Sequence, residues 1–383
     1  MKRKQNSIVE SAVNRHFHRL LAGTLVAGWL AAVAPAWGDI AADIELVKNA
    51  AAQSPMPANA QAAWKRVAGQ PGGALLVLKA MDGAGPLETN ALRMAFDAAT
   101  EPMADSGAIL DLREVVLDRS LCSKARTTVF ELMVRSAPQV RGELVAAMLD
   151  DPAPELRYAA VADLLERADM ADGEAALTLY RQAFAAAIDV EQKQRCANEL
   201  EDLGEAADLA SSLGYVLAWR VVGPFNNVDG VGFAQAYPPE DSTDAASYDG
   251  KDGTVSWVST ASDDDLGLVD LTKVLGPFKG AVAYAEAVIE SPAAADAQVR
   301  YTTRNGSKLW VNGELINAAN VYHSGHSIDQ YVASCRLRKG ENRILLKLCQ
   351  NEQTEPWAQS WEFQCRVTDP IGAGAQFTGA TPK

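Results

Sequence analysis

A tryptophan flanked by amide and carboxylate side chains is the most informative candidate for ligand binding. Trp357 lies in the stretch KLCQNEQTEPWAQSWEFQC, residues 347–365. The polar side chains that precede it are those of Gln350, Asn351, Glu352 and Gln353. A flat ring beside hydrogen-bonding groups suits a neutral polyhydroxylated ligand, whose C–H groups stack on the ring while its hydroxyls bond the amides. The alternative is that the amides satisfy loop backbone groups while Trp357 closes one end of the fold.

A second polar stretch, YHSGHSIDQY at residues 322–331, offers further contacts. We expect Tyr322, His323 and Asp329 to contribute to the same ligand surface, with residues 322–330 meeting residues 350–361. Two histidines three positions apart, His323 and His326, could hold a transition metal together with Asp329. Loop histidines bonded to backbone or water are the favoured interpretation. The sequence therefore predicts no metal and no cofactor.

The search for catalytic groups finds no GxSxG, HExxH, Walker A or Rossmann glycine pattern. Glu352 and Glu355 could form a glycosidase acid pair, but their spacing does not distinguish them from any acidic loop. The run Asp263-Asp264-Asp265 lacks the ligand spacing of an EF-hand and predicts a solvated turn. We expect a non-catalytic protein, with a hydrolase of unidentified acids as the minor alternative.

The N-terminal 38 residues have the three parts of a secretory signal. A basic start precedes the apolar run LLAGTLVAGWLAAVAPA, and small residues follow at Ala34-Pro35-Ala36 or Ala36-Trp37-Gly38. The alternative, an uncleaved membrane anchor, needs a run of about 20 apolar residues and is less favoured. We expect export to the periplasm or the extracellular space.

Charge excludes two classes of partner. The chain has 35 Lys and Arg against 49 Asp and Glu, a net charge of −14. The first 38 residues hold five basic residues and one acidic residue, so 30 basic and 48 acidic residues remain and the net charge becomes −18. Phosphate backbones and anionic lipids would be repelled, so neither nucleic acid nor a membrane surface is expected as a partner.

Residues 39–213 have an alanine-rich helical pattern. In LDDPAPELRYAAVADLLERA, residues 149–168, apolar residues recur every four positions after an Asp-Pro start, and Asp150 or Asp151 could cap the helix. Short helices with short links favour stacked antiparallel pairs. The unit DDPAPELRYAAVADLL resembles a HEAT-type repeat, which implies a HEAT-like stack. An irregular helical bundle is the alternative.

The sequence pattern changes to that of short strands over residues 214–370, and residues 371–383 are predicted to form a disordered tail. Asn312-Gly313 between two apolar runs predicts a type I′ hairpin. Alternation places Trp361, Phe363 and Cys365 on one face, so Trp361 is predicted to be in the core. Spacing of the strands favours an antiparallel β-sandwich or jelly roll.

The five cysteines permit disulfides in an oxidising compartment, although an odd number leaves at least one unpaired. Cys349 and Cys365 could form a bridge if their strands are antiparallel neighbours. Cys335 and Cys349 are the competing pair; the sequence does not choose between them, and the absence of both bridges is the third alternative.

The stretches WRVVGPFNN, KLWVNG, LRKGENRILLK and LCQNEQTEPWAQSW resemble galactose-binding-like β-sandwich domains of large exported bacterial proteins, in which helical repeats precede the sandwich. The resemblance covers residues 100–369 and implies an architecture more than an activity. Related PA14-type modules bind calcium through Asp-Asp-Gly, where this chain has Arg304-Asn305-Gly306, so that site is not expected. The resulting hypothesis is a carbohydrate-binding or scaffold protein. The alternative is a structural or protein-interaction protein without a small ligand.

Overall fold

A computed structural model of the chain describes residues 37–70, 72–101 and 108–380. A helical N-terminal region is followed by a region of antiparallel sheets, as the sequence predicts. The predicted signal at residues 1–38 lies outside the described residues except for Trp37 and Gly38, which begin the first described helix. No helix in the described part of the chain is both long and apolar enough to span a membrane.

The described residues divide into two compact units, one within residues 37–77 and 85–99 and one within residues 78–84 and 100–380. The predicted domain boundary at residue 213 stays a prediction. The first four described helices are α1 (Trp37–Asn49), α2 (Ala58–Ala68), α3 (Gly73–Ala80) and α4 (Pro86–Thr100). In the first unit, Val47, Ala63 and Ala91 form a small buried cluster, and Asp43 bonds Arg66.

The helices of the second unit are α5 (Arg113–Leu117), α6 (Ser123–Ser136), α7 (Arg141–Val145), α8 (Pro154–Asp169), α9 (Gly173–Ala186), α10 (Val190–Asp202) and α11 (Leu209–Leu213). Helix α8 confirms the predicted pattern, because the residues at its apolar spacing are buried and Pro154 occupies its first position. The predicted capping role of Asp150 or Asp151 is wrong. Neither caps α8: Asp151 is buried against Arg126, with which it makes two hydrogen bonds of 2.8 and 2.6 Å.

The strands are β1 (Ala218–Asn226), β2 (Ser247–Gly250), β3 (Gly253–Ser256), β4 (Val258–Ala261), β5 (Val269–Asp270), β6 (Ala281–Ser291), β7 (Ala295–Thr303), β8 (Gly306–Val311), β9 (Glu314–Ala319), β10 (Tyr331–Leu337), β11 (Gly340–Gln350), β12 (Glu362–Thr368) and β13 (Thr378–Ala380); the short helix α12 (Leu271–Val274) follows β5. A seven-stranded sheet has the order β4-β1-β6-β11-β8-β9, with β13 also on β6. A four-stranded sheet has the order β10-β7-β12-β5, and β2 pairs with β3. Asn312 and Gly313 turn between β8 and β9 with positive φ, which confirms the predicted hairpin.

One hydrophobic core lies between the two larger sheets. Trp219 of β1 meets Phe363 of β12 edge to face at 5.0 Å, and Trp361 is fully buried beside them, as predicted. The other face of the seven-stranded sheet is covered by residues 233–257, whose aromatic side chains pack on Val282 and Tyr284. Strand β6 is therefore buried on both faces, which explains why its sequence is almost continuously apolar.

Neither candidate disulfide forms, and the prediction of a disordered tail is wrong for residues 371–380. Cys349 lies in β11 and Cys365 in β12, strands of different sheets, and all five cysteines are free. Cys335, in β10, is likewise in the other sheet from Cys349. The segment 371–380 is also not a disordered tail. Phe377 packs on the core and β13 pairs with β6, which gives the segment both apolar and backbone partners.

Candidate functional site

The connection between β11 and β12 and His323 of the β9–β10 connection together present a surface formed by His323, Asn351, Gln353 and Trp357, here called the Trp357 platform. Trp357 lies in a single 3₁₀ turn, Pro356–Ala358, and is 58% exposed. Its neighbour Ala358 points inward and is buried. The turn therefore anchors itself through Ala358 while the indole projects toward solvent.

Gln350 fastens this connection from beneath. Its Nε2 donates to the carbonyls of Ala358, Gln359 and Ser360 at 3.2 to 3.4 Å. Its Oε1 accepts from Asn305 Nδ2 at 3.0 Å. Gln350 is fully buried and its carboxamide is fully engaged, so the prediction that it contacts a ligand is wrong. It holds the loop in position by bonding its backbone groups, which is the role that the alternative interpretation gives to the amides.

Tyr322 supports the platform from the side. Its hydroxyl accepts a hydrogen bond from Asn227 Nδ2 at 3.0 Å, and the same amide donates to the Gln350 carbonyl. Burial raises the pKa of Tyr322, against the smaller effect of the Asn227 bond, so the phenol stays neutral. A Cβ on Gly306 would lie 3.2 Å from this ring, which shows how closely β8 approaches it. Tyr322 is half-buried, and the centre of its ring lies 6.4 Å from that of His323 in the platform.

His323 and Asn351 form the polar edge of the platform. Asn351 Nδ2 lies 2.8 Å from His323 Nε2 and 2.8 Å from Gln353 Oε1. Because an amide NH₂ only donates, this arrangement requires an unprotonated Nε2 on His323. The imidazole in turn meets the Trp357 ring edge to face at 4.7 Å. Ring, imidazole and amides are thus fixed in one arrangement.

The two glutamates of the connection, Glu352 and Glu355, border the platform. Glu352 accepts a hydrogen bond from the Asp229 backbone at 2.9 Å, which ties the connection to the loop after β1. Glu355 is exposed and precedes the 3₁₀ turn. Their carboxylates give the platform a negative border.

Asp329 lies elsewhere, which corrects the prediction that residues 322–330 form one surface with Trp357. It bonds Arg300 Nη1 at 2.9 Å and Arg366 Nε at 2.7 Å. Burial works against ionisation, but the hydrogen bonds from Arg366 and Arg300 keep the pKa of Asp329 below its usual range. These side chains line a cavity of 760 Å³ together with Tyr158, Val190 and Ile328, here called the Asp329 cavity. The connection between β9 and β10, residues 320–330, therefore contributes His323 to the platform and Asp329 to this cavity.

The other candidates have structural roles or no role as sites. His323 and His326 lie at the platform and the cavity respectively, and within the described ranges no group of three or more His, Cys, Asp or Glu could hold a metal. Asp264 bonds the backbone of Leu266 and Leu268, as expected of a turn. Arg304 pairs with Glu362 at 3.4 Å and Asn305 is buried, in place of the acidic pair of a calcium-binding module.

The residues that hold the Trp357 platform and the Asp329 cavity in position were not among the predicted candidates. Asn227 and Asn305 belong to the polar network under the platform, and Arg300 and Arg366 bind Asp329. Asn227 is the last residue of the WRVVGPFNN stretch, and the pair of asparagines there was the sequence signal that could have identified it. Nothing local in the sequence marks the two arginines, since each lies in an ordinary strand pattern.

Comparison with known proteins identifies no family. No family description matches the sequence, and no curated protein matches it. Among solved structures, a β-glucosidase from Kluyveromyces marxianus is similar at 10% sequence identity and a TM-score of 0.26. The match covers 64% of this chain and 33% of that enzyme, so the chain spans about a third of its length. A TM-score this low carries no argument about fold or function.

Proposed function

We propose that the protein is a non-catalytic, exported binding protein whose strand region binds carbohydrate at the Trp357 platform. The observation that carries the proposal is the 58% exposure of Trp357 on a connection held rigid from beneath. A ring that is already fixed loses little conformational entropy when a ligand stacks on it. Rigidity and exposure together favour a binding surface over a simple end plug.

The surroundings of the ring select for a neutral sugar. Asn351 and Gln353 offer amide groups beside the indole, where they can bond hydroxyls of a stacked ring. Glu352 and Glu355 would repel a carboxylate or sulfate on the ligand. The platform is also an open surface, which suits a residue within a polysaccharide chain.

The finer architecture belongs to the same proposal. Two antiparallel sheets share one core, in support of a galactose-binding-like jelly-roll sandwich. Helices α8, α9 and α10 pack on one another in sequence order, in support of a HEAT-like stack. In this view the helical region is a scaffold or a surface for another protein.

Affinity gel electrophoresis against neutral polysaccharides, with a glycan array in parallel, tests the proposal on wild type and Trp357→Ala. About half of the exposed indole, roughly 70 Å², would be covered by a sugar ring, which corresponds to about 1.8 kcal/mol or a 20-fold loss of affinity. Tyr158→Ala is the matched control, because Tyr158 is also an aromatic side chain that is 50% exposed, in α8.

Retention of the wild type, loss in Trp357→Ala and retention in Tyr158→Ala support the proposal. Equal retention of all three proteins, or retention of none on any glycan, contradicts carbohydrate binding at Trp357. The second outcome favours the alternative of a structural or protein-interaction protein. Release of reducing sugar from a retained polysaccharide would contradict the non-catalytic part.

A further inference from the structure

The Asp329 cavity is a second place where a ligand fits, separate from the Trp357 platform. Its walls are the start of α8, the start of α10, the β9–β10 connection and the strands β7 and β12. Its volume of 760 Å³ is in the range of about 300–1,000 Å³ found for small-molecule sites. Volume alone does not select a ligand, but the charges around it do.

Two guanidiniums and one carboxylate meet at the inner wall of the cavity. Arg300 and Arg366 share the single carboxylate of Asp329, and the Arg366 side chain is only 3% exposed. Buried charges are normally matched by opposite charges, because removing them from water is costly. Asp189 also lines the cavity, but its carboxylate caps α10 by accepting from the Gln192 backbone N–H. Among the three side chains in mutual contact, the guanidiniums therefore outnumber the carboxylate by one.

Lys193, in α10, is a further buried cation, although it does not itself line the cavity. It is 7% exposed, and its ammonium lies 4.8 Å from the centre of the Phe184 ring. Its backbone N–H bonds the Asp189 carbonyl, whereas its ammonium has no hydrogen-bond or ion-pair partner among the residues that the structure describes. Burial lowers the pKa of Lys193 to about 8, and the nearby charges of Arg157 and Arg366 lower it further than the effect of Cys196 raises it. At pH 7 the ammonium is still mostly charged.

Arg300 keeps donors for a ligand. It uses three N–H groups in bonds to Gln298 and Asp329, and a guanidinium has five. The turn at Gly372 leaves room for it, since a Cβ there would lie 3.0 Å from Arg300 Nη2. The guanidinium therefore lies at the cavity wall, where two of its five N–H groups have no hydrogen-bond partner among the described residues.

The rest of the lining is mostly apolar or acidic, with His326 and Ser327 as the other polar residues. Ile188, Ile328 and Ile371 line the cavity with Tyr158, while the exposed side chains of Glu155 and Glu191 also border it. A simple anion would be repelled by these two glutamates. A molecule with a carboxylate at one end, an aliphatic body and a positive charge at the other end would complement the whole lining.

We propose that the Asp329 cavity binds a small zwitterion, an amino acid or short peptide, whose carboxylate meets Arg300 and whose positive end meets Glu155 and Glu191. This binding is additional to carbohydrate binding and does not depend on it. An amino acid and a short peptide both carry a carboxylate and an ammonium group, and they differ in the distance between these two charges.

Isothermal titration calorimetry at pH 7 with three compounds tests the proposal: the tripeptide Lys-Ala-Leu, its C-terminal amide, and free leucine. The free-acid tripeptide is expected to bind at least about tenfold more tightly than its amide, because a charge-assisted hydrogen bond is lost in the amide. Leucine binding as tight as the tripeptide identifies an amino acid as the ligand. Weaker binding of leucine identifies a peptide.

Arg300→Gln is expected to weaken binding of the free acid about tenfold and to abolish its advantage over the amide. Arg336→Gln, in the exposed pair with Asp296, is the control and should bind as the wild type does. Should Arg300→Gln fail to fold by circular dichroism, Glu191→Lys on the exposed border replaces it, with an expected loss of about threefold. Equal binding of acid and amide by the wild type, unchanged binding in folded Arg300→Gln or in Glu191→Lys, or no heat from any compound at millimolar concentration overturns the proposal.

Discussion

Lys193→Met is expected to stabilise the protein at neutral pH and to do so less as the pH rises. The lysine is buried beside the Phe184 ring and close enough to Arg157 and Arg366 for their charges to act on it. Methionine has a similar length and carries no charge, so it removes the electrostatic cost while filling most of the same space.

The size of the effect follows from the pKa. Burial is the main reason that the pKa of Lys193 falls from 10.5 to about 8, a difference of about 2.5. At about 1.36 kcal/mol for each unit of pKa, the charged lysine costs the native state about 3 kcal/mol at pH 7. Below pH 8 both states are protonated and the full cost applies. Between pH 8 and 10.5 the native state releases its proton first, so the cost decreases, and at pH 9.5 about 1.4 kcal/mol remains.

Urea unfolding of variant and wild type at pH 7 and pH 9.5 measures this difference. The stabilisation should be about 2 kcal/mol smaller at pH 9.5 than at pH 7. Cys196, whose pKa burial raises to about 11, stays protonated in the native state at both pH values and contributes about equally in both proteins. The cation–π contact with Phe184 exists only while Lys193 is charged, so its loss opposes the stabilisation mainly at pH 7. Lys339→Met, at an exposed position, is the control and should show no pH-dependent difference. A pH-independent difference for Lys193→Met would refute the reasoning.

Two further substitutions test the buried polar contacts. Gln350→Ala removes the partner of three loop carbonyls and of two donors, the Asn305 amide and the Asn351 backbone N–H. It should cost about 2 kcal/mol in urea unfolding and weaken polysaccharide retention, whereas the exposed Gln353→Ala should change stability by less than about 0.5 kcal/mol. Equal costs for the two would show that the network does not hold the platform. Asp151→Ala strands the Arg126 guanidinium, both side chains being 1% exposed, and should cost about 3–5 kcal/mol by thermal or urea unfolding; a loss below 1 kcal/mol would contradict this.

Local patterns predicted the parts of the fold that depend on neighbours in sequence. The apolar period of α8, the turn at Asn312-Gly313 and the burial of Trp361 all follow from spacing within about twenty residues. The cysteine pairings failed for the opposite reason. Consecutive strands β11 and β12 belong to different sheets, and strand order is a property of the whole chain.

The candidate site shows the same division. The sequence singled out Trp357, which is exposed, and also Gln350, which is buried. It could not separate them, because what buries Gln350 is its contact with Asn305, 45 positions away. Asp329 was likewise recognised as a polar candidate, but its place depends on Arg300 and Arg366 from two other strands. Residue types identified candidates, and only the tertiary contacts assign them to places.

The connection between β9 and β10 has a thermodynamic consequence. One short stretch of backbone positions His323 beside Trp357 and, six residues later, Asp329 between two arginines. Because both ends are already held by side-chain hydrogen bonds, a ligand at either end has little backbone motion left to remove. The two occupancies are therefore expected to be nearly independent, and any small factor by which one ligand changes the affinity for the other must be the same in both directions.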